Sequence, residues 1–232
     1  MAGTESLWCI VPAAGSGRRF GAGIPKQYQP LAGKPMIERT LERLVACAEI
    51  AGLMVVLADG DTHWPGMGMI GGKPVRTATG AAERSGSVLS GLRALPSDVA
   101  TDAFVLVHDA ARPCISPRDV ETLVALGIPA GGALLATPLR DTLKRAGEGN
   151  RVAATEPRER LWRALTPQMF RRGELTQALE AAEAGGVAVT DEAMAMERMG
   201  HRPLLVEGAE DNIKVTTAAD MALAEYLWRR ET

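Results

Sequence analysis

Leu7-Trp8-Cys9-Ile10-Val11-Pro12-Ala13-Ala14-Gly15-Ser16-Gly17-Arg18-Arg19-Phe20-Gly21 is the stretch from which the rest of the chain is read. Its apolar opening predicts a strand buried on both faces, because such strands show no polar–apolar alternation. The small residues that follow let the backbone approach a ligand closely, and glycine permits turns with φ > 0. N–H groups in such a turn converge on anionic oxygens. Arg18, Arg19 and then Pro25-Lys26-Gln27 set fixed positive charge beside it. This combination suits a polyphosphate. The dinucleotide fingerprint needs a third correctly spaced glycine and the Walker loop needs the pattern GxxxxGK followed by Ser or Thr; neither is present. An ordinary tight turn is the plain alternative, but it leaves the bracketing cations without a purpose.

Further apolar runs occupy 52–58, 103–107 and 131–137, and segments of helical period separate them. Ile37, Leu41, Leu44, Val45 and Ala48 form one stripe; Val88, Leu89, Leu92 and Leu95 form another. Val120, Leu123 and Val124 form a third, entered through Ser116-Pro117 with Asp119 at the capping-box position. Helices are also expected near 173–183, 191–199 and 218–230, the last opening at Thr217 with Asp220 three residues on. Strands alternating with helices predict an α/β fold, a mostly parallel central sheet with helices on both faces. Ligands then bind at the carboxyl ends of the strands. Residues 139–160 break the pattern: they are polar, alternate, and centre on Gly147-Glu148-Gly149-Asn150. A projecting β-hairpin arm is expected there. An isolated hairpin is marginal in water, so the arm is expected to pack on a second subunit of a homodimer. The remainder reads as one domain over 1–232.

The chain has 232 residues, 46% of them hydrophobic, and a formal net charge of −2. That charge argues against a nucleic-acid surface, so phosphate recognition must come from local clusters. The three cysteines are widely spaced and the three histidines scattered. A reducing compartment is expected, and a zinc site is not. With neither a signal-type segment nor an apolar run of spanning length, a cytoplasmic protein is expected, with no membrane partner.

Five clusters carry residues suited to chemistry. His108-Asp109-Ala110-Ala111-Arg112-Pro113 directly follows the 103–107 run, which puts Asp109 at a strand's carboxyl end, suited to holding Mg²⁺ directly or through water. An Asp109–Arg112 ion pair is the structural alternative. Gly80-Ala81-Ala82-Glu83-Arg84-Ser85-Gly86-Ser87 precedes a helix; it reads equally as a capped entry and as a small-residue shelf for a base, with Ser87 hydrogen-bonding. Thr166-Pro167-Gln168, Thr190-Asp191-Glu192 and Asp211-Asn212-Ile213-Lys214 each read first as caps or turns. Lys214 lies between Ile213 and Val215, where lysine is seldom placed without a partner.

Taken together and in order, these motifs resemble the 2-C-methyl-D-erythritol 4-phosphate cytidylyltransferase family, CTP-dependent enzymes of the non-mevalonate isoprenoid pathway. Arg140-Asp141-Thr142, Leu165-Thr166-Pro167-Gln168, Thr190-Asp191-Glu192-Ala193 and Glu207-Gly208 followed by Asp211 to Thr216 complete the match, which spans almost the whole chain. The resemblance implies a Rossmann-like nucleotidyltransferase domain, a homodimer and Mg²⁺ bound with the CTP phosphates. It assigns catalysis to Arg19, Lys26, Arg158 and Lys214. It assigns the nucleotide to Pro12, Ala13, Ala14, Gly15, Gly17, Gly80, Ala81, Ser87, Asp109 and Ala110, and the acceptor to Arg112, Asp141, Thr142, Thr166 and Thr190, some reaching across from a neighbouring subunit. Ala81 departs from the family's two glycines; at φ > 0 it would carry about 1 kcal/mol of strain. A cytidylyltransferase for another polyol phosphate, such as ribitol 5-phosphate, and a non-catalytic module of the same fold are the alternative readings.

Overall fold

The computed structural model describes residues 7–15 and 23–231. In chain order the strands and helices are β1 (Leu7–Pro12), β2 (Pro30–Leu31), β3 (Lys34–Pro35), α1 (Met36–Val45), β4 (Ile50–Leu57), β5 (Met69–Ile70), β6 (Lys73–Thr79), α2 (Arg84–Arg93) and β7 (Phe104–Val107). They continue as α3 (Pro117–Ala130), β8 (Ala133–Pro138), β9 (Leu143–Ala146), β10 (Val152–Glu156), β11 (Trp162–Arg171), α4 (Arg172–Ala184), α5 (Glu192–Arg198), β12 (Leu204–Glu207) and α6 (Ala218–Glu231). Eight strands form the central sheet in the order β12-β8-β11-β7-β1-β4-β6-β5. β1 pairs in parallel with β4 and β7, β4 with β6, and β12 with β8.

The apolar runs are unbroken because both faces of the sheet are covered. Cys9 and Val11 of β1 join one buried cluster with α1 and α3, while Ile10 joins a second with α2, α4 and α5. Leu53 and Val55 of β4 alternate with Met54 and Val56 in the same way, as do Phe104 and Leu106 of β7 with Val105 and Val107. A period of two between two apolar layers leaves no position for a polar side chain. A third cluster seats α6 through Ala224, Leu227 and Trp228 on Leu31, Met36, Ala111 and Val215. It fastens α6 beside the loop after β7.

Some details differ from expectation. The 131–137 run becomes strand only at Ala133, because Gly131 closes α3 in the left-handed region at φ +76°. The capping box at α3 does not form: Ser116 makes no side-chain cap, and the Asp119 carboxylate accepts from the Ala209 N–H at 2.8 Å instead. β11 runs antiparallel between β7 and β8. Its ladder with β8 shifts between Ala164 and Gln168. Pro167 brings no N–H to the ladder and falls within that shift.

The expected arm is present. β9 and β10 form a separate antiparallel pair, joined by a turn in which Gly149 and Asn150 have φ +63° and +57°. Among the described residues, no helix is long and apolar enough to cross a membrane.

Candidate active site

A cavity of about 620 Å³ opens at the carboxyl ends of β1 and β7, the position favoured for ligands in open α/β sheets. Its described lining falls into four groups: Pro12–Gly15 with Lys26 and Gln27, then Ala81–Arg84 with Ser87, then Asp109–Ala111, then Lys214 and Thr216. Arg19 and Gly17 lie outside the described residues.

The strand ends are tied together by backbone bonds. The Ala13 N–H donates to Val56 O at 2.8 Å, His108 N–H to Ile10 O at 2.9 Å and Gly80 N–H to Leu57 O at 2.7 Å. Gln27 pins the loop from beneath, its Nε2 donating to Ala13 O at 2.7 Å and Gly15 O at 3.2 Å. Such bonds hold the small-residue segment against the core before any ligand arrives.

The entry to α2 at 80–87 forms without a side-chain cap. Glu83 is the N-cap of α2 and makes no side-chain cap bond. Ser87 lies one turn in, accepting from the Ala81 N–H at 3.1 Å. A Cβ at Gly80 would stand 2.6 Å from Ala14 Cβ and 2.9 Å from Ser87 Oγ, so glycine is needed there for close approach. Ala81 has no positive φ, since Ala32 and Asn150 are the non-glycine residues in that region among those described. Its methyl group therefore carries no backbone strain.

Asp109 is the electrostatic centre. Its Oδ1 accepts from Arg84 Nε at 3.0 Å and its Oδ2 pairs with Lys214 Nζ at 2.8 Å. Arg112 Nε is farther, at 3.6 Å, so the Asp109–Arg112 pair is the weakest of the three contacts. Burial alone would raise the carboxyl's pKa; the Arg84 and Lys214 charges outweigh it and hold the group well below the usual carboxylate range. Arg84 turns its other edge to Glu192, with Nη1–Oε1 2.6 Å and Nη2–Oε2 3.1 Å.

A second chain of bonds fixes Asp109 from behind. Its N–H donates to Thr166 Oγ1 at 3.0 Å. The Thr166 hydroxyl lies 3.0 Å from His108 Nδ1, and His108 Nε2 lies 3.0 Å from Arg112 O. Burial pushes the His108 imidazole down to about 4, so it is neutral at pH 7. With Nε2 protonated, every member of this chain has a donor for each acceptor.

Lys214 arrives through the segment before α6. Val215 N–H donates to Ala111 O at 2.8 Å, and Val215 O accepts from Lys26 Nζ at 2.9 Å. Two lysines 188 positions apart in sequence thus meet around one peptide. The other expected acceptor residues do not line the cavity. Thr166 and Arg112 are buried behind it, with Arg112 Nη1 donating to Asn212 O at 2.7 Å. Asp141 and Thr142 are exposed at the root of the arm, and Thr190 is exposed before α5. Arg158 is exposed and donates to Arg140 O within the arm. Arg84, Gln27 and Glu192 received no role from sequence: Arg84 and Glu192 are 108 positions apart and no local spacing joins them.

No group of three or more His, Cys, Asp or Glu side chains stands together among the described residues, so they build no dedicated metal cage. Magnesium sites with nucleotides need only one or two carboxylates, the other ligands being water and phosphate oxygens. Asp109, on the cavity wall with lone pairs left on both oxygens, fits that limited duty.

Over residues 7–230 the chain matches the family model for IspD, 2-C-methyl-D-erythritol 4-phosphate cytidylyltransferase. It is 58% identical to the protein of that name from Xanthomonas euvesicatoria pv. vesicatoria, over 96% of this chain and 85% of that one. With the namesake from Stenotrophomonas maltophilia it shares 57% identity over 98% of both chains. Among solved structures it is similar to the Francisella tularensis enzyme, with TM-score 0.81 and 30% identity, covering 96% of this chain and 99% of that one. The Thermus thermophilus enzyme gives TM-score 0.78 and 30% identity, covering 97% and 99%. A cavity of nucleotide size at the strand ends, ringed by the motifs of one family from β1 to the entry of α6, agrees with these matches, and the chain belongs to the 2-C-methyl-D-erythritol 4-phosphate cytidylyltransferase family.

Proposed function

We propose that the chain transfers the cytidylyl group of CTP to the phosphate of 2-C-methyl-D-erythritol 4-phosphate, giving 4-diphosphocytidyl-2-C-methyl-D-erythritol and pyrophosphate. The observation that carries this reading is the convergence of Lys26, Lys214 and Asp109 on a cavity floored by the Pro12–Gly15 backbone.

Nucleophile and electrophile are both anionic phosphates. The protein's task is to neutralise charge and align an in-line attack, without a covalent intermediate. The end of β1 and the entry of α2 form the nucleotide side, where Ser87 and the Ala81 backbone meet the cytosine. Lys26, with Arg19, strengthens its contacts as charge builds on the α-phosphate and the leaving pyrophosphate. Lys214, held by Asp109, seats the acceptor phosphate. Asp109 would hold Mg²⁺ directly or through water, and the bound ion would supply further neutralisation of the phosphate oxygens.

The reading includes a homodimer joined through residues 139–160. The arm forms its own two-stranded sheet and leaves Val152 66% exposed, an arrangement that gains stability from a partner surface. Arg158, Asp141 and Thr142 lie on it, outside the cavity of their own chain, which suits delivery to a neighbour's acceptor side. Three buried cysteines kept as thiols support a cytoplasmic location.

The test is product identity. Incubated with CTP, Mg²⁺ and methylerythritol phosphate, the protein is expected to yield the cytidine diphosphate adduct by mass spectrometry and phosphorus NMR. Equal or better turnover with ribitol 5-phosphate contradicts the acceptor assignment.

A further inference from the structure

The fork between Arg84 and Glu192 has no part in the chemistry above, yet it abuts the carboxylate on which that chemistry depends. We infer that Arg84 and Glu192 are positioning residues: they fix the Asp109 carboxylate so that its outer oxygen holds Lys214 in the seat of the acceptor phosphate. The inference rests on the proposed transfer reaction.

Three observations support it. The planar guanidinium of Arg84 is gripped on both edges, by Asp109 Oδ1 at 3.0 Å and by the two Glu192 oxygens at 2.6 and 3.1 Å. A fork held from two sides fixes direction as well as distance, which a lysine would not do. The Glu192 side chain is only 1% exposed. A buried ion pair of this kind is no stability gain over apolar packing, so its place at the rim of a cavity points to a task. Charge supplies the third argument. Glu192 offsets part of the Arg84 charge, so that Arg84 draws less on Asp109 and Lys214 keeps its pairing with Oδ2 at 2.8 Å.

Glu192 is itself held firmly. Asp191 caps α5 by accepting from the Met194 N–H at 2.9 Å, and also accepts from Gln168 Nε2 at 3.0 Å. Gln168 Oε1 in turn accepts from the Ala193 N–H at 2.8 Å. The first turn of α5 is therefore clamped to β11, and Arg84 carries that rigidity to the end of β7. Without the Glu192 charge, Arg84 is free to claim both oxygens of Asp109 and displace Lys214.

The test is a double-mutant cycle on the whole chain. Glu192→Gln keeps the shape and removes the charge. It is expected to lower kcat/KM for methylerythritol phosphate by about 10- to 100-fold while leaving KM for CTP within about twofold. In an Asp109→Asn background, the same substitution is expected to cost less than about threefold, because its route of action is already gone. Arg84→Lys, which keeps charge but not the fork, should repeat the pattern and serves where Glu192→Gln folds poorly. If turnover in the Asp109→Asn background is too slow, the cycle is read from acceptor binding by calorimetry beside a non-hydrolysable CTP analogue. Additive losses, unchanged kinetics, or an equal fall for both substrates alongside a lower Tm each overturn the inference. Absence of pyrophosphate from the unsubstituted enzyme overturns the reaction assignment, and this inference with it.

Discussion

Lys26 shows how little of a functional residue's surroundings lies near it in sequence. The 3₁₀ turn Lys26–Tyr28 starts its position, but its ammonium group is oriented by Val215 O, on the segment that also delivers Lys214. A donor held ready in this way costs little reorganisation when charge develops on a phosphate. Lys26→Ala is therefore expected to reduce kcat by on the order of 10²-fold, with Tm changed far less than a core substitution would change it. Steady-state kinetics with a melting curve check this; turnover within a few-fold of the unsubstituted protein would remove Lys26 from the mechanism.

At the scale of elements, α6 has the best-formed cap. Asp220 Oδ2 accepts from the Thr216 N–H at 2.9 Å, the Thr217 N–H at 2.8 Å and the Thr217 hydroxyl at 3.0 Å. Thr217 Oγ1 accepts from the Asp220 N–H in return. The Thr216 N–H, followed by the Thr217 donors, keeps the carboxyl below its ordinary pKa. A carboxyl lowered on folding stabilises above its unfolded pKa, near 3.8, and loses that contribution as pH falls through its folded value. Asp220→Ala should cost about 1 kcal/mol at pH 7, and the cost should vanish in acid below both values. Denaturant titrations at pH 7 and at successively lower pH decide it; a cost that does not shrink toward acid contradicts the cap. This cap was legible because Thr217 and Asp220 are three residues apart. The pair at Ser116 and Asp119 has the same spacing and fails, because Asp119 turns to Ala209, 90 positions on. β1, β4, β7 and β8 were legible because two apolar layers leave an unbroken run. β11 was not: its buried centre carries Thr166, Pro167 and Gln168, whose polar atoms are satisfied by His108, Asn212 and α5, partners distant in sequence. The site divides along the same line. Pro12–Gly15, Lys26 and Asp109 follow from local pattern, while Arg84 and Glu192 meet only in the fold.

For the whole molecule, the proposed dimer bears on the acceptor side. The cavity has its nucleotide floor and both lysines, whereas Arg158 is exposed on the arm. In the proposed dimer, exchanged arms would bring Arg158 to the neighbouring site. Mixing Lys26→Ala with Arg158→Ala, each nearly inactive alone, is then expected to restore activity. Random exchange makes half the dimers mixed with one intact site each, so about a quarter of full activity returns. No recovery after subunit exchange, verified by light scattering and tag-based capture of mixed dimers, would place Arg158 with its own chain.

The proposed activity requires this cavity to couple an acceptor phosphate to CTP. Pyrophosphate release from CTP and Mg²⁺, measured with and without methylerythritol phosphate, addresses that coupling without an intermediary. Stoichiometric release that depends on the acceptor is expected; equal release without it, or none with it, would contradict the coupled transfer.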